Sequence, residues 1–348
     1  MILTVTMNPA YDITYRVKCL DRGRAQRVMS VEQRLGGKGI NVARVLAQLG
    51  KPVRATGFAD LEFAAAVGRE LRADFVPALP WVRRTLVVSE SADGTATGFW
   101  EPGARVNDPR ESVDRLLDRV GALLPELHGL VVSGSLPAGV ADSVPADLAR
   151  AALAAGVPAI CDVDGHALLL AATVPGVVLM PNSEELARLI GYSDAGSVGA
   201  DGAGPVVPAA RNACAADEST ASADAVEFSA LATRLRPLVD SGVRAVIATR
   251  GAAGMVAATA SGSWSAALPE ALSGNPTGAG DAAAAAVIAG LAAPGTPDWP
   301  AILRDAVATS AAAVVVPIAG AIDAEMRERL LPTVLVTDPG TTATQARS

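Results

Sequence analysis

The sequence predicts an α/β fold: a mostly parallel sheet with helices on both faces, plus a smaller, partly separate sheet. Three observations predict it. Residues 2–8 are apolar with too little alternation for a half-exposed strand, and suit one buried on both faces. From residue 109 onward, short Val-, Ile- and Leu-rich runs alternate with longer stretches of helical period, which implies right-handed βαβ units. Residues 12–35 instead hold short β-like pieces, 13–17 and 27–33, whose charge marks them as exposed.

The elements follow in order. The first strand ends in the turn Asn8-Pro9-Ala10-Tyr11-Asp12. After the small-sheet pieces, Leu35-Gly36-Gly37-Lys38-Gly39-Ile40-Asn41 opens a helix. Its apolar positions Val42, Val45, Leu46 and Leu49 recur at helical spacing, and Gly50 stops it. Residues 53–58 read as a strand and 62–73 as a helix. Residues 83–89 and 96–103 read as a hairpin turned by Asp93-Gly94. Helices are expected at 111–124 and 144–156, with strands at 129–137, 158–163 and 177–179. Ser183, with Glu185-Leu186, starts another helix. Residues 193–222 lack an apolar period and read as a mobile surface loop. Beyond them come a helix at 226–240, strands at 245–251 and 254–260, and helices at 279–292, 301–316 and 324–330. The tail reads as frayed, and the ordered domain as ending near residue 331.

Composition excludes several classes. The 348 residues are 50% hydrophobic and 3% aromatic, so the core is built of Ala, Val and Leu. A net charge of −7 argues against a general nucleic-acid binder. Cys19, Cys161 and Cys214 form neither a disulfide framework nor a zinc site, which points to a reducing, cytoplasmic setting. The first residues lack a basic region, and no apolar run reaches the roughly 18 residues of a membrane span. The only lysines are Lys18, Lys38 and Lys51, and none sits in a Gly-Lys-Ser/Thr phosphate loop. A nucleotide would therefore be gripped by backbone amides, arginine or metal.

Gly274-Asn275-Pro276-Thr277-Gly278-Ala279-Gly280-Asp281 runs into an alanine-rich helix. A glycine-led helix start offers free N–H groups and a positive dipole end, which suits an anion. Asp281 adds a carboxylate where a phosphate would also be held. That placement suits a base that deprotonates an alcohol while a phosphoryl group arrives, but Asp is also a common helix cap. Gly36-Gly37-Lys38-Gly39 gives a second glycine-led start with Lys38 and Asn41 at its mouth, although Lys38 also reads as a solvated surface lysine. Asp12 sits where a polyol could be bound, or is an ordinary turn residue. Arg83 and Arg84 can bind a phosphate or serve as edge charges.

Five ordered motifs carry a resemblance: Thr6–Asp12 (TMNPAYD), Gly36–Arg44 (GGKGINVAR), Val132–Gly139 (VSGSLPAG), Pro181–Leu186 (PNSEEL) and Thr277–Asp281 (TGAGD). In this order they resemble the ribokinase-like (PfkB) sugar kinases. The nearest branch is that of 1-phosphofructokinase, tagatose-6-phosphate kinase and the minor 6-phosphofructokinase. The resemblance spans residues 1–331. It implies a three-layer α/β/α ribokinase-like fold with a small β-sheet lid, matched by segments 13–35 and 84–100.

It also implies site residues. Asp281 would be the catalytic base, with Gly278, Ala279 and Gly280 forming an anion hole. Asp12, Gly37, Lys38, Asn41 and Ser133 would line the sugar site, and Arg84 would contact the phosphate already on the sugar. Asn182 and Glu185 would organise magnesium and phosphate, Glu185 through water or phosphate. Thr249, Gly251 and Gly254 would meet the nucleotide. ATP and Mg2+ are the implied cofactors. The implied reaction is phosphorylation of a ketohexose phosphate, foremost fructose 1-phosphate to fructose 1,6-bisphosphate; fructose 6-phosphate and tagatose 6-phosphate are alternatives. Met180, Thr249-Arg250-Gly251 and the long 193–222 stretch depart from the family pattern. A simple sugar or nucleoside kinase is disfavoured by Lys38 and Arg84, and a silent sugar-phosphate-binding regulator by the intact Asp281. A dinucleotide-binding dehydrogenase would need a Gly-x-Gly-x-x-Gly after the first strand, which is absent. Apolar residues at 13–17, 28–31, 86–88 and 99–100 would leave one lid face uncovered. That predicts a homodimer paired through the lid, with Trp100 in the interface.

Overall fold

The structure, a computed structural model, describes residues 1–195 and 220–338. In chain order, β1 (Ile2–Thr6), β2 (Ala10–Val17) and β3 (Ser30–Gly36) lead to α1 (Lys38–Gln48), β4 (Val53–Ala59), α2 (Leu61–Gly68) and β5 (Ala73–Pro77). A hairpin of β6 (Arg83–Glu90) and β7 (Ala96–Trp100) precedes α3 (Pro109–Leu123). Then follow β8 (Gly129–Ser133), α4 (Val144–Ala154), β9 (Ala159–Asp162), α5 (Gly165–Ala171), β10 (Val178–Leu179) and α6 (Ser183–Ala195). Beyond residue 219 come α7 (Thr220–Asp240), β11 (Ala245–Thr249), β12 (Met255–Thr259), β13 (Gly262–Ala267), α8 (Ala279–Leu291), α9 (Trp299–Val314), α10 (Ala324–Leu330) and β14 (Leu335–Thr337).

The large sheet has the order β14-β13-β12-β11-β10-β9-β8-β1-β4-β5. From β5 to β11 the neighbours run parallel. β12, β13 and β14 add an antiparallel margin. All five residues of β1 and of β8 are buried, as the unbroken apolar runs require of a sheet covered on both faces. Helix α8 is buried nearly all round; Ala282–Ala286 are fully inaccessible, and their small side chains let α8 sit close against α1 and α9.

The second sheet has the order β3-β2-β6-β7, with β2 parallel to β6. Its strands alternate. Asp12, Thr14, Arg83, Thr85 and Val87 face the large domain, while Tyr15, Arg84 and Leu86 sit on the other side. This is the small sheet expected from the charge-rich segments.

Some elements differ from expectation. The helix expected over 62–73 ends at Gly68, and Ala73–Pro77 forms the edge strand β5. The short helix α5 and the strand β13 were not expected at all. Leu335–Thr337, expected to fray, pairs with β13. Of the stretch expected to be a mobile loop, residues 193–195 end α6 and 220–222 begin α7. The remainder, like the tail beyond 338, lies outside the described residues.

Candidate active site

The loops after β1, β8, β9, β10 and β11 line one cavity of about 2150 Å³ between the large sheet and the small one. Such a position, outside the carboxyl ends of parallel strands, is the usual ligand crevice of an open α/β sheet.

Helix α8 points its N-terminus into this cavity. Gly278 is its cap residue at φ 87°, a backbone conformation that favours glycine, and a Cβ there would lie 3.0 Å from Ala319 Cα. The Ala279 N–H is taken by the Pro276 carbonyl at 3.2 Å, so Gly278 and Gly280 supply the amides left to meet an anion. Asp281 lies one turn in and makes no cap bond; the reading as a helix cap therefore fails. It is only 6% exposed, and its Oδ2 accepts a hydrogen bond from Asn41 Nδ2 at 3.0 Å. Burial, reinforced by the nearby Asp162 charge, pushes its carboxyl up to about 7 against the opposing pull of Lys38. That is near the value a general base needs at neutral pH.

Helix α1 supplies the opposite wall. Gly37, at φ 113°, turns the chain so closely past the first strand that a Cβ would fall 2.8 Å from Thr6 Cγ2. Asn41 has its Oδ1 facing Arg44, at 3.4 Å from a guanidinium nitrogen, and Arg44 in turn pairs with Glu70 at 2.7 Å. The amide of Asn41 is thereby oriented to donate toward Asp281. Lys38 Nζ bonds Asp162 Oδ1 at 3.0 Å. Burial alone would lower the Lys38 ammonium, but the carboxylates of Asp162, Glu185 and Asp281 outweigh it and hold it above its ordinary value. Ser133 stands behind this pair; it is buried outside the cavity lining, and its hydroxyl donates to Asp162 Oδ2 at 3.1 Å.

The small sheet closes the cavity from above. Asp12 Oδ1 accepts from the Thr85 hydroxyl at 2.6 Å. Burial raises its carboxyl above the usual range, partly offset by the Thr85 bond and the Arg44 charge. Gly36 leaves room for it: a Cβ at that position would lie 2.0 Å from Asp12 Oδ2. The two neighbouring arginines separate. Arg83 lines the cavity, donating to the Glu101 carbonyl at 3.0 Å. Arg84, expected to face the substrate, points outward and forms an exposed pair with Glu101 Oε1 at 3.0 Å. Strand alternation is the cause, since consecutive residues of β6 cannot share a face.

On the far side, Asn182 and Glu185 cap α6. Asn182 Oδ1 accepts from the Glu184 and Glu185 N–H groups, and Glu185 Oε2 accepts from the Asn182 N–H, each at 2.9 Å. This reciprocal box is the local reason for the Asn-x-x-Glu spacing. Both residues still line the cavity, as do Thr249, Gly251 and Gly254. Gly254 has a packing reason as well, because a Cβ there would lie 2.1 Å from the Ala266 carbonyl.

Sequence reasoning missed Asp162, Asp164, Arg34 and Thr85, and it left Arg83 open between phosphate binding and an edge charge. The end of a buried strand is the one signal that could have marked Asp162. Among the described residues no group of three His, Cys, Asp or Glu side chains is arranged to hold a metal ion. No described helix is long and apolar enough to cross a membrane.

A model of the pfkB family carbohydrate kinases matches residues 5–324. The chain belongs to the pfkB family. It is a sugar kinase, a phosphotransferase with an alcohol group as acceptor. Among solved structures, phosphofructokinase-2 of Escherichia coli superposes with a TM-score of 0.74 at 24% identity, covering 95% of this chain and 98% of that one. A candidate 1-phosphofructokinase of Thermotoga maritima gives a TM-score of 0.73 at 22% identity, with 97% and 99% covered. Ribokinase of Arabidopsis thaliana, solved with ribose and ATP, gives 0.62 at 21%, with 94% and 98% covered. These likenesses establish the ribokinase-like fold for this pfkB-family kinase.

Proposed function

We propose that this kinase transfers the γ-phosphoryl group of ATP to a phosphorylated ketohexose, foremost fructose 1-phosphate, giving fructose 1,6-bisphosphate. The observation that carries the reading is Asp281, a buried carboxyl held near neutrality one turn inside a glycine-led helix. The acceptor hydroxyl would lie against its carboxylate and give up its proton there as the phosphoryl group arrives in line. Asn41 fixes the carboxylate, and the Gly278 and Gly280 amides, at the positive end of α8, would meet the transferring group. This rate gain belongs to the intact constellation; a regulator that only binds would have no use for a base so placed.

A phosphorylated rather than a plain sugar is supported by the cations facing the cavity from the small sheet. Arg16, Arg34 and Arg83 all line it. Burial lowers the guanidinium of Arg83 below its ordinary value, only partly offset by the charges of Asp12, Asp164 and Glu101. Asp12 and Thr85 would receive the sugar hydroxyls between them. Thr249, Gly251 and the apolar wall of Val314 and Val315 offer a groove that fits a nucleotide base and ribose. The lack of a three-ligand cluster among the described residues fits Mg2+ carried mainly by phosphate oxygens and water, with Glu185 reaching it through water. When bound, the ion would neutralise phosphate charge.

The outer face of the small sheet supports a homodimer paired through this lid. Tyr15, Val31, Leu86 and Phe99 lie on it, with Val31 54% and Phe99 53% exposed. Trp100 faces the cavity instead. A cytoplasmic location fits a phosphorylated substrate and the free thiols of Cys19 and Cys161.

A coupled ADP-release assay with MgATP tests the reading. Fructose 1-phosphate, fructose 6-phosphate, tagatose 6-phosphate, fructose and ribose would be compared. The proposal expects a phosphorylated ketohexose to give the highest kcat/KM; preference for ribose or fructose would refute it.

A further inference from the structure

Trp100 is a cavity-lining aromatic that the transfer described above leaves without a task. It is 68% exposed, and it lies on the cavity face of β7, opposite the outer face that carries Phe99. Its ring rests along the strand over Gly98: a Cβ at that glycine would fall 2.4 Å from Trp100 Cη2 and 2.7 Å from Cζ2. Any larger residue at 98 would push the ring away, so the glycine makes the place in which the indole lies. The register partner of Gly98 on β6 is Val87, a second apolar side chain of the cavity lining. Trp100 itself pairs with Thr85, Thr85 with Asp12, and Asp12 with Arg34. One row across the small sheet thus carries a guanidinium, a carboxylate, a hydroxyl and an indole, all four lining the cavity. Opposed residues of an antiparallel pair hold their Cβ atoms about 4.5–5.5 Å apart, so the indole starts immediately beside the Thr85 hydroxyl.

We propose that Trp100 is a sugar-binding residue: its indole face packs against the C–H face of the sugar whose hydroxyls Asp12 and Thr85 receive. The proposal rests on the sugar-site reading of Asp12 and Thr85 given above. A sugar presents two kinds of surface. Its hydroxyls need hydrogen-bond partners, which the Asp12–Thr85 pair offers at 2.6 Å from each other. Its C–H face is apolar and gains by leaving water, and the electron-rich face of an aromatic ring suits it. The row across β2, β6 and β7 places these two kinds of partner side by side. The groove assigned to the nucleotide is built from other elements, Thr249 and Gly251 after β11 and Val314 and Val315 at the end of α9. A tryptophan left two-thirds in water inside a cavity is an apolar surface that a ligand covers.

Tryptophan fluorescence of the full chain tests this without catalysis. The other three tryptophans, Trp81, Trp264 and Trp299, lie outside the cavity lining, so a change in emission on adding sugar reports Trp100. Wild type is titrated, without nucleotide, with fructose 1-phosphate, fructose 6-phosphate, tagatose 6-phosphate, fructose and ribose, and separately with MgATP. Emission should change saturably with a sugar phosphate in wild type and stay constant in Trp100→Leu. In steady-state kinetics Trp100→Leu should raise KM for that sugar about tenfold and KM for ATP much less, and Trp100→Phe, which keeps an aromatic face, should recover most of the loss. A tryptophan with only a structural role would not divide the two constants in this way. A saturable, Trp100-dependent response to fructose or ribose alone would uphold the contact and refute the proposed choice of substrate. Emission that ignores every sugar, follows MgATP instead, or changes equally in Trp100→Leu would overturn the contact even in an active kinase. If Trp100→Leu does not fold, Gly98→Ala carries the test, because its methyl displaces the ring and keeps the residue: the same KM should rise, and an unchanged KM overturns the proposal.

Discussion

Asn41 donates a 3.0 Å hydrogen bond to Asp281 across 240 residues of sequence. It joins the first turns of α1 and α8, the two helices that begin after glycines. Arg44, buried and paired with Glu70, orients the Asn41 amide so that its N–H, not its carbonyl, meets the carboxylate. Two helix starts that each favour an anion thus converge on one carboxyl group kept from full ionisation by burial.

In the proposed reaction that carboxyl would link activity to stability. Its native value of about 7 stands above the ordinary 3.8 because burial disfavours the charge. Ionising it in the folded state is costlier than in the unfolded chain, so stability is lost as pH rises from about 4 to about 7, by roughly 4 kcal/mol at most. Asp281→Asn cannot ionise. Its melting temperature should pull ahead of wild type across that window and then hold a constant lead. A lead that does not change with pH would show that Asp281 is ionised without cost. In wild type the acid limb of kcat/KM should fall near pH 7, because the base must be ionised to act.

Arg83→Ala should raise KM for the phosphorylated sugar by about tenfold or more, since charge-assisted contacts to phosphate are worth about 1.5–3 kcal/mol. KM for ATP should change little. Arg84→Ala, which breaks an exposed pair with Glu101, should leave both constants within about twofold. The reverse ranking in steady-state kinetics would mean that β6 presents its other face to the substrate.

Gly36→Ala tests Asp12 without mutating it. The new methyl would lie 2.0 Å from Asp12 Oδ2 and force that side chain off the Thr85 hydroxyl. Affinity for the sugar should fall while circular dichroism stays native. Full retention of sugar affinity would remove Asp12 from the binding site.

Phe99→Asp should shift the protein from dimer to monomer in light scattering, because it places a charge in the outer apolar face of the small sheet. Trp100→Asp should leave the dimer intact, since its ring lies toward the cavity, across Gly98. A monomeric wild type, or a dimer insensitive to Phe99→Asp, would place the contact elsewhere or nowhere.

The sequence announced α8 and α1 clearly, because glycines followed by helical periodicity have few other readings. It also marked the small sheet, whose charge broke the apolar pattern. What it concealed were matters of register and distance. Arg83 and Arg84 are equivalent as letters, and only the pleat of β6 decides which enters the cavity. Asp162 carries no motif; its importance comes from Lys38, 124 residues away in sequence. Strand β13, Gly-Ser-Trp-Ser-Ala-Ala, is too poor in β-branched residues to declare itself, and β14 becomes a strand only because β13 offers an edge. The Asn182 and Glu185 pair was legible as a motif, but its capping geometry shows that such spacing has a local folding cause too.

The central claim is that Asp281 serves as base for phosphorylation of a sugar phosphate. The direct measurement is 31P NMR of fructose 1-phosphate with MgATP at pH 8, for wild type and Asp281→Asn at equal concentration of folded protein. The account predicts that fructose 1,6-bisphosphate and ADP grow in together with wild type, and about 10²–10⁴-fold more slowly with the variant. Equal rates of product formation in the two proteins would contradict it.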